Sequence, residues 1–301
     1  LKILVTGGAG FIGGRLVRRL KALKHDVLAL DLRQDETGEV HLADVRESDE
    51  VAAALGSLDG ADVVFHLAGP VVEMVRKNLQ AGLDLQLRGT LAVLEACREH
   101  PRPRPKVILA SSFYVYADGS PAEAVVNEAT SLDLLNLEPF GAAKLMAERV
   151  VRAYSETYGL RYVNLRFGSA YGYGDCSNVI KSFLETGRRG DVLELWGQGR
   201  RQNQYTYVDD IVEGCVLALE LEDTTINLIS ETETTTGELA LMLREMYGFE
   251  VVFDTQKAEG SSMPRMVSLS RRRGLSWSSR PLTEGIKATV AEMAQAASAP
   301  S

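Results

Sequence analysis

The chain reads as an α/β protein: a doubly wound parallel sheet followed by a smaller C-terminal lobe. Three observations predict this. Apolar runs of strand length alternate with helical patterns through the first half. A glycine-rich turn joins the first run to the first helical stretch. After about residue 167 the alternation gives way to loops rich in Gly, Tyr and Arg. Strand–helix alternation of this kind builds a parallel sheet with ligands at the carboxyl ends of its strands.

Taken in order, Lys2 to Thr6, Asp26 to Asp31, Asp62 to His66, Lys106 to Ser111 and Arg161 to Arg166 are predicted strands. Their near-continuous apolar runs suit strands covered on both faces. Helices are expected over Phe11 to Leu23, Asp84 to Glu99 and Pro139 to Tyr158. The last has Pro139 in its first turn and Gly159 just past its end, a start and a stop. Residues 1–166 are assigned to the sheet domain and 167–301 mainly to the lobe, interleaved with the sheet and not separable at one cut. In that lobe Tyr171 to Asn178 and Gly197 to Tyr205 read as loops, and Thr235 with Glu238 is a capping-box pattern. The Ala/Ser/Pro-rich end is expected to fray.

Composition narrows the partners. The 301 residues are 45% hydrophobic, enough for a sizeable core, and the formal net charge of -8 argues against a nucleic-acid partner. No window approaches the eighteen or so apolar residues of a membrane span. The chain starts directly on a strand without a leader pattern, which predicts a cytoplasmic protein. Cys97, Cys176 and Cys215 are scattered, and neither they nor the four histidines have metal-ligand spacing.

The turn itself is Val5-Thr6-Gly7-Gly8-Ala9-Gly10-Phe11-Ile12-Gly13. Gly7 allows the tight bend, Gly10 lets backbone approach a pyrophosphate, and Gly13 lets the helix pack on the strand. The helix start then offers unpaired N–H groups at Phe11 and Ile12 and a partial positive charge. This is the dinucleotide site of a Rossmann fold. Asp31 ends the second strand, where a carboxylate accepts hydrogen bonds from ribose hydroxyls and repels a 2′-phosphate. NAD is therefore expected over NADP, with Arg33 nearby as the opposing signal. Asp44 and Val45 are placed beside the adenine ring.

The spacing Gly7-x-x-Gly10-x-x-Gly13 resembles that of the extended short-chain dehydrogenase/reductases, which include NAD-dependent nucleotide-sugar epimerases and dehydratases. The resemblance continues through His66-Leu67-Ala68-Gly69, Gly89-Thr90 with Leu94 to Cys97, Ser111 to Tyr116, Gly141 to Lys144 with Glu148, Arg166 to Gly172, and Tyr205 to Asp210. It covers roughly residues 1–250. It implies that Leu67, Ala68 and Gly69 border the cofactor, that Ser112 holds the reacting oxygen and that Lys144 binds the nicotinamide ribose.

The same resemblance places a proton-transferring tyrosine four residues before Lys144, where this chain has Phe140. Loss of a positioned acid/base costs roughly 10²- to 10⁴-fold in rate. Three readings stay open: a tyrosine replaced to trap a substrate, an enzyme using another group, or a protein that binds NAD without catalysis. Other departures favour natural divergence: Gln86 for an asparagine, Ser169 for another, and Asn203 for the arginine that clamps a diphosphate. Tyr114, two residues past Ser112 and expected on the same strand face, is the first substitute acid/base. Glu73, Cys176 and Lys144 itself are the others, Lys144 if desolvation lowers its pKa.

The function expected is transient oxidation of a sugar or nucleotide-sugar carbon followed by epimerisation. The chain lacks a Thr-Asp-Glu triplet at 112–114, which disfavours the common dehydratase route. The alternatives are an NAD-loaded binding protein and a plain NAD-dependent dehydrogenase. The resemblance also implies a homodimer packed through the Asp84 to Glu99 and Pro139 to Tyr158 helices, both of which carry apolar residues at helical spacing, such as Leu87, Leu91 and Leu94.

Overall fold

The structure, a computed structural model, describes all residues except 36–37, 102, 117–124, 133–136, 175, 177, 261, 263, 269–274 and 299–301. Seven strands form one parallel sheet: β1 (Lys2–Thr6), β2 (Asp26–Asp31), β3 (Val40–Leu42), β4 (Val63–His66), β5 (Lys106–Ser112), β6 (Tyr162–Phe167) and β7 (Thr224–Leu228). Their spatial order is β7-β6-β5-β4-β1-β2-β3. Every pairing is parallel, so all seven carboxyl ends lie along one edge. Thr6, Asp31, His66 and Ser112 end their strands there.

Alternation along the strands divides the core. Ile3, Val5, Val63 and Phe65 face α1 (Phe11–Ala22) and α7 (Val208–Leu217) through Leu16, Leu20, Ile211 and Cys215. Leu4, Leu30, Val64 and Leu109 face the other way. They meet α2 (Ser48–Ser57), α4 (Leu79–Glu99) and α5 (Pro139–Tyr158) through Leu55, Val93, Leu94 and Val151. Each such aliphatic side chain, fully buried, contributes about 1.5–3 kcal/mol. The period of two that sends neighbours to opposite faces is what makes the sheet doubly wound. A third apolar cluster holds the lobe, built on α6 (Val179–Arg188), α8 (Thr236–Tyr247) and α9 (Leu282–Ser298).

α5 spans the expected residues, with Pro139 at its start and Gly159 at φ +70° closing it. The Thr235–Glu238 capping box forms as read. Several expectations shift. α4 begins five residues early at Leu79, because Asn78 caps it by accepting from the Ala81 N–H at 3.1 Å. Leu94 is 1% exposed and belongs to the core, so of the apolar positions named for a dimer face only Leu87 and Leu91 remain outside it. The Ala/Ser-rich end stays helical to Ser298, and 299–301 fall outside the described residues. The Gly197 to Tyr205 loop contains the short strand Gln202–Asn203 and runs into Tyr205–Tyr207, whereas Tyr171 to Asn178 holds only the last residue of the strand Ser169–Tyr171 among its described residues. β3, α2, α3 (Val72–Lys77), β7 and α9 had no expectation; β7 sends the second half of the chain back into the main sheet.

Candidate active site

The glycine-rich turn is shaped by contacts at two glycines. Gly7 has φ +73°, and a Cβ there would meet the Ala68 nitrogen at 2.7 Å. A Cβ on Gly13 would lie 2.0 Å from the Gly7 carbonyl oxygen, so α1 packs against the turn only because residue 13 is bare. Gly10 caps α1 with no side chain occupying the first-turn N–H groups, leaving them open to an anion. Around Gly10 the one close atom is the Gly7 oxygen at 3.1 Å, so a phosphate has room to approach. Phe11 closes the far side: its ring lies under Gly172 and Gly174 of the lobe.

Asp31 sits beside this turn. Its Oδ2 accepts from the Ala9 N–H at 3.1 Å and its Oδ1 from the Arg33 N–H at 3.1 Å. Each oxygen keeps lone-pair capacity for a ribose hydroxyl. Asp44 is bound to Arg46, whose Nη2 donates at 2.6 Å, and that guanidinium holds the carboxyl below its ordinary range. Arg46 continues to Asp84 at 2.8 Å. Val45 is buried against Gly89.

β4 delivers Leu67, Ala68 and Gly69 to the same edge; Leu67 and Ala68 are fixed by N–H bonds to the Thr6 carbonyl and hydroxyl at 3.1 and 3.3 Å. His66 behind them is a core residue. Its ring touches Thr6 Oγ1 at 2.9 Å and Thr90 Oγ1 at 3.2 Å, and burial, aided by the charge of Lys144, lowers its pKa to about 3. The imidazole is neutral.

β5 and α5 supply the chemistry. Ser112 is the last residue of β5 and is 8% exposed. Lys144 is buried; its Nζ donates to the Ala110 carbonyl at 3.1 Å and lies 5.7 Å from the centre of the Phe140 ring. Burial lowers its pKa to about 8, against the pull of the Glu148 carboxylate. The same Nζ would be 3.2 Å from a Cβ on Gly69, so the lysine spans from α5 to the end of β4. Below it, Glu148 pairs with Arg166 at 2.7 Å and accepts from Ser111 Oγ at 2.5 Å.

Tyr114 is not on the strand. β5 ends at Ser112, and Phe113–Tyr116 turns as a 3₁₀ helix, so the period-two argument for a shared face fails. α5 comes close to this turn only because residue 141 is bare: a Cβ on Gly141 would be 2.4 Å from the Tyr114 carbonyl oxygen. Tyr114 still reaches the site, with its N–H donating to Ser112 Oγ at 3.3 Å and its ring packed edge-on against Phe140 at 5.4 Å. Burial and then the charge of Glu138 push its phenol up, which keeps it protonated and a poor proton donor. Glu73 is exposed on α3, near enough to act electrostatically on that phenol. Cys176 lies in the lobe loop with its thiol directed to the Gly172 carbonyl at 3.5 Å. Asn203 turns to its own neighbour, accepting from the Gln204 N–H at 2.8 Å.

Sequence reasoning missed the Thr6–His66–Thr90 chain and the Arg46 clamp, whose members become neighbours only through the sheet. Gln86 was noted as a departure without a role. Among the described residues no cluster of His, Cys, Asp and Glu could hold a metal, and no helix is long and apolar enough to cross a membrane.

Residues 3–228 match the model of the NAD dependent epimerase/dehydratase family. A Bacillus subtilis protein named uncharacterized UDP-glucose epimerase YtcB is 31% identical over 73% of this chain and 72% of its own. Among solved structures, the UDP-glucose 4-epimerase of Thermotoga maritima with UDP-glucose has a TM-score of 0.87 and 26% identity, covering 99% of this chain and all of that one. The UDP-glucuronic acid 4-epimerase of Bacillus cereus, in complex with UDP-glucuronic acid and NAD, has a TM-score of 0.82 and 25% identity, covering 98% and 100%. The open first turn of α1, Asp31 beside it and the buried Lys144 agree with these likenesses. The chain belongs to the NAD-dependent epimerase/dehydratase family and is an enzyme whose cofactor is NAD.

Proposed function

We propose that this protein epimerises a nucleoside-diphosphate sugar and that Lys144 carries the proton that a tyrosine would otherwise move. The observation behind this is the surroundings of Lys144: a desolvated amine with pKa about 8, beside a ring that has no hydroxyl. When bound, NAD takes a hydride from a hydroxyl-bearing carbon and returns it. Ser112 Oγ holds the reacting oxygen from the end of β5. A fraction of the Lys144 amine is neutral near pH 7–8 and able to accept the hydroxyl proton as the carbon is oxidised, then give it back. Phe140 walls the site, its ring 5.7 Å from the amine. Asn203, turned toward Gln204, leaves the diphosphate without a bidentate arginine at that position, which supports a substrate pose shifted from that of the relatives. Cys97 and Cys215 are buried free thiols, in keeping with a reducing cytoplasmic location.

The relatives' substrates, UDP-glucose and UDP-glucuronic acid, are the first to test. Turnover should rise with pH through about 8, the Lys144 value, and Lys144→Met should abolish it. Phe140→Tyr should change it only modestly. A gain of ~10²- to 10⁴-fold from Phe140→Tyr, the range of a restored acid/base, would show that the site is built for tyrosine. Binding of NAD and sugar with no turnover in any variant would identify a non-catalytic binding protein. Consumption of free NAD in step with product would identify a plain dehydrogenase. We also propose a homodimer through α4 and α5, on whose outer faces Leu87, Leu91, Met146 and Val150 are only partly covered.

A further inference from the structure

Gln86 is fully buried on α4, yet its Oε1 accepts no hydrogen bond among the described residues. A buried amide oxygen left without a donor costs about 1–3 kcal/mol, so its orientation needs a cause. The cause is a chain of bonds whose directions are forced. The Thr90 hydroxyl proton is spent on the Gln86 backbone carbonyl at 2.6 Å. The Thr90 oxygen can therefore only accept, which makes the Gln86 side-chain nitrogen, at 3.3 Å, the donor. It also makes His66 Nε2–H a donor, and His66 Nδ1 then accepts from the Thr6 hydroxyl. Thr6 in turn accepts from the Ala68 N–H. Flipping the amide would leave Oε1 facing an oxygen with no proton to give. Oε1 is thus locked pointing away from Thr90.

It points toward Gly69. A Cβ at that position would lie 3.1 Å from Gln86 Oε1 and 3.2 Å from Lys144 Nζ. The two atoms border the same small space, one with an unspent acceptor and the other an ammonium with three donors, of which Ala110 takes one. An alanine methyl at 69 would crowd both. Gly69 and Gln86 complement each other: the missing methyl at 69 leaves room for the Gln86 amide.

We infer that Gly69, Gln86 and Lys144 form one unit, in which the Lys144 ammonium reaches the unspent Gln86 carbonyl through one water. Gln86 is a positioning residue that holds Nζ at the end of β4 and favours its protonated form. The other groups acting on Nζ are the neutral His66 of β4 and Glu148, one turn along its own helix. The use of this unit in catalysis rests on the function proposed above; its existence does not.

The test is a titration of Lys144 in the ligand-free protein by lysine side-chain NMR, assigned with Lys144→Met. Gln86→Met keeps the bulk and removes the acceptor, and should weaken proton binding by about tenfold, one pH unit in the midpoint. Gln86→Glu should move the midpoint upward. Gly69→Ala, which leaves Gln86 intact, should lower it. If the Gln86 variants fail to fold, the sign of the Gly69→Ala shift decides. An unchanged midpoint in folded Gln86→Met, or an unchanged or raised one in Gly69→Ala, overturns the inference. Shifted midpoints in a protein that never turns over sugar would sink the proposed function and leave the unit standing.

Discussion

Removing the Glu148 carboxylate should unfold more than it appears to touch. Glu148 and Arg166 side chains are each 6% exposed and are joined by two bonds, Nε to Oε1 at 2.9 Å and Nη2 to Oε2 at 2.7 Å. Ser111 adds a third bond to the carboxylate, and Arg166 Nη1 donates to the Tyr116 hydroxyl at 2.5 Å. In Glu148→Leu the guanidinium keeps, among the described residues, only Tyr116 as a hydrogen-bond partner. A buried charge stranded in this way costs about 3–5 kcal/mol. A polar cavity of about 220 Å³ borders both residues and can admit water to the stranded group, which holds the cost to the lower end. We expect a loss of roughly 3 kcal/mol, with the melting temperature down by about 5 °C. Arg166→Met should cost a similar amount. The double variant should recover much of the loss, because two apolar side chains leave no unpaired charge. Denaturant unfolding of the four proteins gives the cycle. The reasoning is refuted if either single change costs less than about 1 kcal/mol, or if the double change loses the sum of the two. Ser111 precedes Ser112, so turnover should fall in Glu148→Leu below the temperature where it melts.

The remaining predictions concern the cofactor, acid stability and assembly. Asp31→Ala removes an acceptor for the ribose and an anchor for Ala9, so calorimetry should show NAD weakened by about 1.5–3 kcal/mol, the range of a charge-assisted bond, and the NAD-over-NADP gap narrowed; equal losses for both would count against the role. His66 has its folded pKa below the ordinary 6.5, so the unfolded chain binds the extra proton first. Its stabilising contribution is whole above pH 6.5 and is lost as pH falls toward about 3, with a slope near ~1.4 kcal/mol per pH unit. Denaturation at stepped pH should show that slope reduced by one proton in His66→Gln, and an identical slope would exclude His66 as its source. Leu91, 40% exposed on α4, should sit in the dimer face, and Leu91→Lys should yield a monomer by light scattering; a wild-type monomer at micromolar concentration would end that proposal.

What the sequence determined by itself was local. The turn from Gly7 to Gly13, the run of α5 from Pro139 to Gly159 and the Thr235 cap each depend on residues within one or two turns of one another, and their chemistry is written in that order. The period of strand and helix fixed the class of fold and the edge at which ligands bind. Family resemblance then placed Ser112 and Lys144, and isolated Phe140 as the departure. Tertiary structure decided the rest, because those properties belong to pairs that the chain separates. Tyr114 lies off the strand face, in a 3₁₀ turn that α5 can approach closely only because Gly141 has no Cβ. Leu94 went to the core and Leu91 to the surface because α2 and the sheet cover one side of α4. The pKa of Lys144 follows from burial under elements far away in sequence, and no periodicity encodes it. Gln86 gained its meaning only when Thr90 fixed its amide and the bare Cα of Gly69 opened a path to Lys144, an arrangement created where β4, α4 and α5 meet.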